Sequence, residues 1–293
     1  SRCCSTTTTI TTTTVHSYHR QVVPRYRTSH DKGVYKNRMI SGSTRDDGSL
    51  CASQSGSCRY FRPEDQIDKT ENLSYQLGAF YDTDRNTDIF VRFSNAYRAP
   101  QINELFRLQK SQTLADLNSE KIDSFEFGLI STGENFLNKF VLFSSKKKNY
   151  IYKDANASTI AGGKSKHQGI EISGSVDVNP MLTIKYAWSF AEHLYDYSLS
   201  SIGVYEGNLI DTAPRVQGSI FFNILPVDKL TLQIEEEYLG KYFTDPANQY
   251  SYPGHYLTNF RGFYNLTSKL DINFSIINSV SYTHLTLPTI LLV

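Results

Sequence analysis

The residue types that most often do chemistry are all present, but their spacing argues against catalysis. The seven histidines fall at 16, 19, 30, 167, 193, 255 and 284. None has the His-Glu-x-x-His spacing that sets two imidazoles on one helix face for zinc, and no cysteine stands beside one. Glu235, Glu236 and Glu237 are consecutive. In an extended chain neighbours point to opposite faces, so only Glu235 and Glu237 share a side, and they read as water-facing charges rather than an acid–base pair. Gly162-Gly163 lies in a polar stretch and reads as a turn, not a phosphate cradle. The Lys146-Lys147-Lys148 run reads either as a solvated strand end or as a contact for anionic lipopolysaccharide or ligand. Cys51 and Cys58 sit in a Gly/Ser loop at a spacing wrong for a zinc knuckle, leaving a loop disulfide or two free thiols. No catalytic, cofactor-binding or metal-ligating residue is assigned, and no enzyme activity is expected.

Composition narrows the field from another side. Thirty basic and 29 acidic side chains give a formal charge of +1, which offers no dense basic surface to nucleic acid. With 20 Tyr and 17 Phe the chain is too aromatic for disorder. No run approaches the ~18 apolar residues of a membrane-spanning helix. Residues 1–19 carry a Thr tract and no apolar core, so any export signal is expected upstream.

From Leu73 onward, apolar residues recur at every second position. Leu73, Tyr75, Leu77, Ala79 and Tyr81 precede a polar turn at Asp82–Asp88, and Ile89, Val91 and Phe93 follow it. Leu182, Ile184, Tyr186, Trp188 and Phe190 form the clearest run. Period-two alternation bounded by Asp, Asn and Gly predicts about ten antiparallel strands. The opposite parity carries most of the polar side chains: Thr231, Gln233, Glu235 and Glu237, then Asn259, Arg261 and Asn265 interleaved with Leu257 and Phe263. Charges on an inner face are costly in a dry core but comfortable against water. Several strands run to about a dozen residues, against ~5–6 in globular sheets, and suit a tilted bilayer crossing. The connections also sort. Short ones (Asp82–Asp88, Gly133–Asn138, Asn179–Met181, Pro226–Lys229, Ser268–Lys269) alternate with long ones (Arg98–Lys121, Lys153–Lys166, Asp196–Pro214, Thr244–Gly254). Short turns on one rim and long loops on the other are the asymmetry of outer-membrane barrels, with no counterpart in a soluble sandwich. Tyr81, Tyr97, Tyr150, Tyr152, Tyr195, Tyr197, Tyr242, Phe243 and Tyr256 lie near strand ends, as an interfacial aromatic girdle would, or as the ordinary preference of Tyr and Phe for strands would place them.

Phe90–Phe106 (FVRFSNAYRAPQINELF) resembles the barrel of TonB-dependent outer-membrane receptors: a strand ends in Arg-Ala-Pro and Asn-Glu-Leu follows. Leu117–Glu120, His167–Gly174, Thr212–Gly218 and Phe274–Asn278 are similar to successive elements of that family, in the same order. The resemblance spans roughly Phe61–Asn278. It implies a plugged barrel of about 22 strands that takes up scarce ligands on energy relayed by TonB. This chain departs from that pattern in carrying no plug, no TonB-contacting segment and no closing strand. The expected fold is therefore all-β: an antiparallel transmembrane β-barrel, open and roughly half complete. Arg98, Asn103 and Glu104, where a strand breaks into the longest loop, are the candidates for ligand or plug contact. Their alternative is structural: Pro100 ends the strand and an Arg98–Glu104 ion pair ties the loop down.

Three segments follow. Residues 1–60, which show no helical or strand patterning through roughly Ile40, are expected to be poorly structured or a long external loop, or a partly misread frame; residues 61–279 are expected to be the C-terminal part of the receptor barrel. Residues 280–293 are expected to be an artefactual tail, because Val280–Thr289 resembles a translated sequencing adaptor. The expected function is active transport of a scarce solute such as a siderophore-like iron chelate, with no cofactor. The expected partners are the TonB complex acting through the plug, outer-membrane lipid and the small ligand; the location is the outer membrane. The alternatives are a diffusion porin, a structural or adhesive barrel and, less favoured, a soluble β-rich carbohydrate-binding domain.

Overall fold

Long strands joined in sequence order make up most of the described residues. The computed structural model describes residues 4–14, 22–37, 45, 47, 49–50, 66–83, 86–105, 117–153 and 159–279. Strands β1 (Cys4–Thr14), β2 (Val22–Asn37), β3 (Gln66–Asp82) and β4 (Thr87–Arg98) lead to one helical turn, α1 (Ile102–Leu105). Next come β5 (Glu120–Gly133), β6 (Phe136–Lys153), β7 (Thr159–Asn179) and β8 (Leu182–Tyr195). A 3-10 turn at Ser200–Ile202 precedes β9 (Val216–Val227) and β10 (Leu230–Leu239). The short strands β11 (Tyr242–Phe243) and β12 (Ser251–Tyr252) precede β13 (His255–Thr267) and β14 (Leu270–Ile276). Twelve strands form one sheet in the order β1 to β10, then β13 and β14, while β11 and β12 pair only with each other. The pairing is antiparallel throughout, so the sheet is a meander without crossovers, and it is not closed.

Register makes the alternation continuous from strand to strand. Leu77 opposes Phe93, which opposes Phe125. Phe127 opposes Leu142, Leu142 opposes Ile170, and Ile170 opposes Phe190. These side chains form one outer belt, and it is not packed away: Leu77 is 54% exposed, Phe125 48%, Leu142 41% and Phe190 42%. A dry two-layer interior would have buried them, whereas lipid covers such a belt. The other face is charged. Arg92 pairs with Glu126, and Arg261 Nη1 lies 2.9 Å from Glu235 Oε2. Buried Asn259 donates to Glu235 Oε2 at 3.3 Å and Glu237 Oε1 at 3.4 Å. A groove of about 620 Å³ runs along this face between Glu171, Ser189, Gln217, Glu235 and Glu237. Glu236 has the outward parity and accepts from Thr258 Oγ1 at 2.8 Å near the outer end of β10.

The sorting of connections holds except between β6 and β7, where only residues 154–158 join the strands on the long-loop rim. The β3–β4, β5–β6, β7–β8, β9–β10 and β13–β14 turns are short, and the β4–β5, β8–β9 and β10–β13 connections are long and lie on the opposite rim. Two readings are corrected. The first is the strand count, twelve in the sheet rather than about ten, because β1 and β2 occupy part of residues 1–60. Threonine suits a strand through its branched Cβ but offers no apolar–polar contrast, so a Thr-rich strand shows no period; β1 is recruited by pairing along β2, and β2 by β3. The second is the Lys153–Lys166 connection, because β7 already begins at Thr159. The Cys51–Cys58 pair and the segment Val280–Thr289 lie outside the described residues.

Candidate ligand site at the long-loop mouth

The site is built where β4, β5, β6 and β8 reach the long-loop rim. Proline at 100 has no N–H for the ladder and disfavours helix at the residue before it, so β4 stops at Arg98. Pro100 is fully buried, and the chain turns into α1. The Glu104 N–H donates to the Gln101 carbonyl at 2.9 Å, and the Glu104 carboxylate accepts from the Gln101 N–H at 2.6 Å. This is half of a capping box, which fixes the carboxylate against the first turn. Arg98, on the inner face, binds Glu104 Oε2 through Nη1 at 3.1 Å and Glu120 Oε2 through Nε at 2.8 Å. Lys147 Nζ reaches the same Glu120 oxygen at 3.0 Å, and Glu120 Oε1 accepts from the Ile151 N–H at 2.9 Å. Glu120 is buried with both oxygens partnered, while Arg98 keeps 40% of its side chain exposed toward the mouth. Leu105, Leu117 and Ile151 form a small apolar cluster beside the network.

Above the ion network the parity of β6 shifts. Asn149 takes a φ of 56°, a left-handed conformation that asparagine tolerates better than most residues, and the register slips between Lys148 and Tyr150. The bulge swings Tyr150 to the inner face, opposite Gly163, with Lys147 Nζ 4.4 Å from its ring centroid. A chain of rings continues from there. Tyr150 stacks on Tyr152 at 6.1 Å, Tyr152 meets Tyr197 at 6.2 Å, and Tyr197 meets Tyr195 edge-on at 6.0 Å. Tyr195 is buried and its hydroxyl bonds the Asp211 carboxylate, whereas Tyr150 remains 40% exposed. Burial, reinforced by the neighbouring Tyr152, pushes the pKa of the loop residue Tyr197 upward. Tyr197 is therefore held as a neutral phenol, packed between the rings of Tyr152 and Tyr195, rather than as a phenolate. Deeper on the inner face, His167 and His193 oppose each other with their Nδ1 atoms 2.8 Å apart, and Ser165 Oγ is 2.8 Å from His167 Nε2. Among the described residues no group of three or more His, Cys, Asp or Glu could hold a metal ion.

The structure brings two of the three candidate residues together: Arg98 and Glu104 are an ion pair. Asn103 lies on α1 beside Glu104. The sequence reading missed Glu120, Lys147 and the inner tyrosines as one site. It assigned Tyr150, Tyr152, Tyr195 and Tyr197 to the girdle, and that is corrected here. The bulge turns Tyr150 inward, Tyr152 and Tyr197 stack in the same chain of rings, and Tyr195 opposes inward Ser165. Other aromatics do keep the outer face, among them Tyr97 beneath Lys121 and the Tyr238–Tyr256 pair with centroids 4.6 Å apart.

A meandering sheet with an exposed apolar belt, a charged inner face and loops sorted to one rim is the wall of a transmembrane β-barrel. The sequence matches the family described as TonB dependent receptor-like, beta-barrel, over residues 25–279, and the chain belongs to that family. Solved structures similar to it include the siderophore receptor PiuA from Acinetobacter baumannii, with a TM-score of 0.72 and 14% identity over 93% of this chain and 38% of that one. The ferric-catecholate import receptor Fiu from E. coli, in its closed form, gives 0.73 and 15% over 94% and 40%. The copper transporter OprC gives 0.71 and 14% over 94% and 42%. At these identities the likeness is one of fold, and the chain spans about two fifths of the length of each of these proteins. Among curated proteins, none matches the chain.

Proposed function

We propose that this chain is the ligand-contacting half of an outer-membrane uptake receptor, which captures a scarce aromatic or anionic metal chelate at its external mouth and releases it inward on TonB-relayed energy. The observation that carries the reading is the exposed edge of Arg98 beside the exposed ring of Tyr150, both on the inner face and both held by partners that do not depend on a ligand. A guanidinium braced by two carboxylates still offers N–H donors to an anionic chelate, and a ring face offers stacking. The family match and the siderophore and metal receptors among its structural neighbours support uptake rather than chemistry on the solute. In the whole receptor the TonB complex would act through a plug domain, and the apolar belt would sit in the outer membrane. Asn103 belongs to the same proposed contact region through its place on α1.

The test uses the intact receptor in cells dependent on a supplied ferric chelate. Tyr150→Ala is expected to lower chelate affinity about tenfold with surface display unchanged, the ring contact being worth roughly 1–1.5 kcal/mol. Arg98→Ala is expected to lower both uptake and display, because it also leaves Glu120 buried without its closest cation. Normal uptake of every siderophore and metal chelate offered to both variants would remove the mouth as the binding site.

A further inference from the structure

The Lys146–Lys148 run divides between the two faces of the sheet, and its outward members join a larger array. Lys148 opposes Lys121 on β5 and Lys164 on β7, and Lys146 opposes Lys166. Lys146, Lys148, Lys164 and Lys166 are exposed, and all five lysines share the parity of the outer belt. Like charges directly opposed across strands destabilise a sheet unless something offsets them. The offset within the protein is incomplete. Asp123 opposes Lys146 and lies 3.6 Å from Lys121 Nζ; Asp196 pairs with Lys166; Glu192 is engaged by Arg215. Among the described residues no carboxylate lies within ion-pair distance of Lys146, Lys148 or Lys164. Lys147, one residue away, is spent on Glu120 at the inner face.

The array sits directly above the lipid-facing belt. Lys146 follows outward Leu142 by four residues, roughly 13 Å along a strand, and Lys166 precedes Ile170 by the same distance. A lipid with its acyl chains along that belt therefore presents its first polar layer to the lysines. We propose that Lys121, Lys146, Lys148, Lys164 and Lys166 form a binding site for a phosphorylated saccharolipid of the outer leaflet, with the phosphates held between the three strands. Lysine binds phosphate as a point charge and needs no fixed fork, which suits a mobile headgroup. The proposal rests on the outer-membrane placement given above.

The experiment takes the intact receptor from fractionated membranes into neutral detergent and measures bound lipopolysaccharide per protein, then the affinity for purified lipopolysaccharide. The triple variant Lys146→Gln/Lys148→Gln/Lys164→Gln is expected to lose most co-purified lipid and to bind roughly a hundredfold more weakly at physiological salt. Lys139→Gln, an inward lysine at the opposite end of β6, is expected to bind as the parent does. Enzymatically dephosphorylated lipopolysaccharide is expected to bind the parent as weakly as intact lipid binds the triple variant, and excess inorganic phosphate is expected to compete only partly. Equal lipid content in parent and triple variant, with folding verified by heat-modifiable gel mobility, overturns the site while leaving the outer-membrane placement intact. Full displacement by free phosphate overturns it in favour of a soluble-anion site. Recovery of the receptor outside the outer membrane overturns the placement and the lipid site together.

Discussion

The lower and upper halves of β6 and β7 obey different rules although they are the same strands. In the lower half, Leu142, Ile170 and Ile172 face out against inward Val141, Glu171 and Ser173, and the sequence alternates. In the upper half, Lys146, Lys148, Lys164 and Lys166 face out, an asparagine bulge breaks the parity, and the ladder continues to Lys153 and Thr159 regardless. The difference shows what period-two alternation reports. It marks the part of a strand with lipid on one side and water on the other, not the extent of the strand. Above the lipid both faces are wet, so hydrogen bonding persists while the sequence signal vanishes.

The comparison can be broken most forcefully in the lower half. Leu142→Arg puts a charge on the belt and is expected to cost about 2–4 kcal/mol, read as a lower denaturant midpoint in vesicles; Ser189→Arg on the inner face is expected to stay within about 0.5 kcal/mol. Equal costs at the two positions would mean that the belt does not face lipid. A smaller effect tests the parity switch. Asn149→Val forces a β-branched residue into a left-handed conformation and is expected to cost about 1–2 kcal/mol and to weaken chelate capture, since Tyr150 would return toward the outer face. The smallest effect is in the loop between β11 and β12, where Asp245 takes the N–H groups of Tyr250 at 2.6 Å and Gln249 at 3.1 Å. Desolvation opposes the charged form there, but these backbone donors outweigh it and hold the carboxyl below the ordinary range. A depressed folded pKa gives stability that is present above the unfolded value near 4 and lost as pH falls through the folded one. Hydrogen exchange at Gln249 and Tyr250 is therefore expected to accelerate, relative to the rest of the sheet, only below about pH 4. Unchanged protection at pH 3 would contradict it.

Most of the fold was legible because its dominant force is local in sequence. Ten strands, their faces and the sorting of turns and loops follow from alternation and punctuation around residues such as Phe93, Trp188 and Ile272. β1 was not legible, because threonine looks the same to lipid and water and its place is set by pairing with β2. At the mouth, Arg98 and Glu104 could be read because they are six residues apart around a proline. Glu120 and Lys147 could not, since only the register of β5 against β6 makes them neighbours. Tyr150 was misdirected by one left-handed asparagine, and no residue pattern announces a bulge of that kind.

β6 and β7 contain 18 and 21 residues. At about 3.3 Å per residue and a tilt near 40°, the longer one spans roughly 50 Å of height, about twice a ~25 Å apolar band. Half of its length is therefore a stiff parapet rising beyond the apolar band. A tyrosine mounted on such a wall keeps its position while the entrance is vacant, so an arriving chelate need not first organise a floppy loop, and the entropy of assembling the entrance is already settled by the backbone ladder.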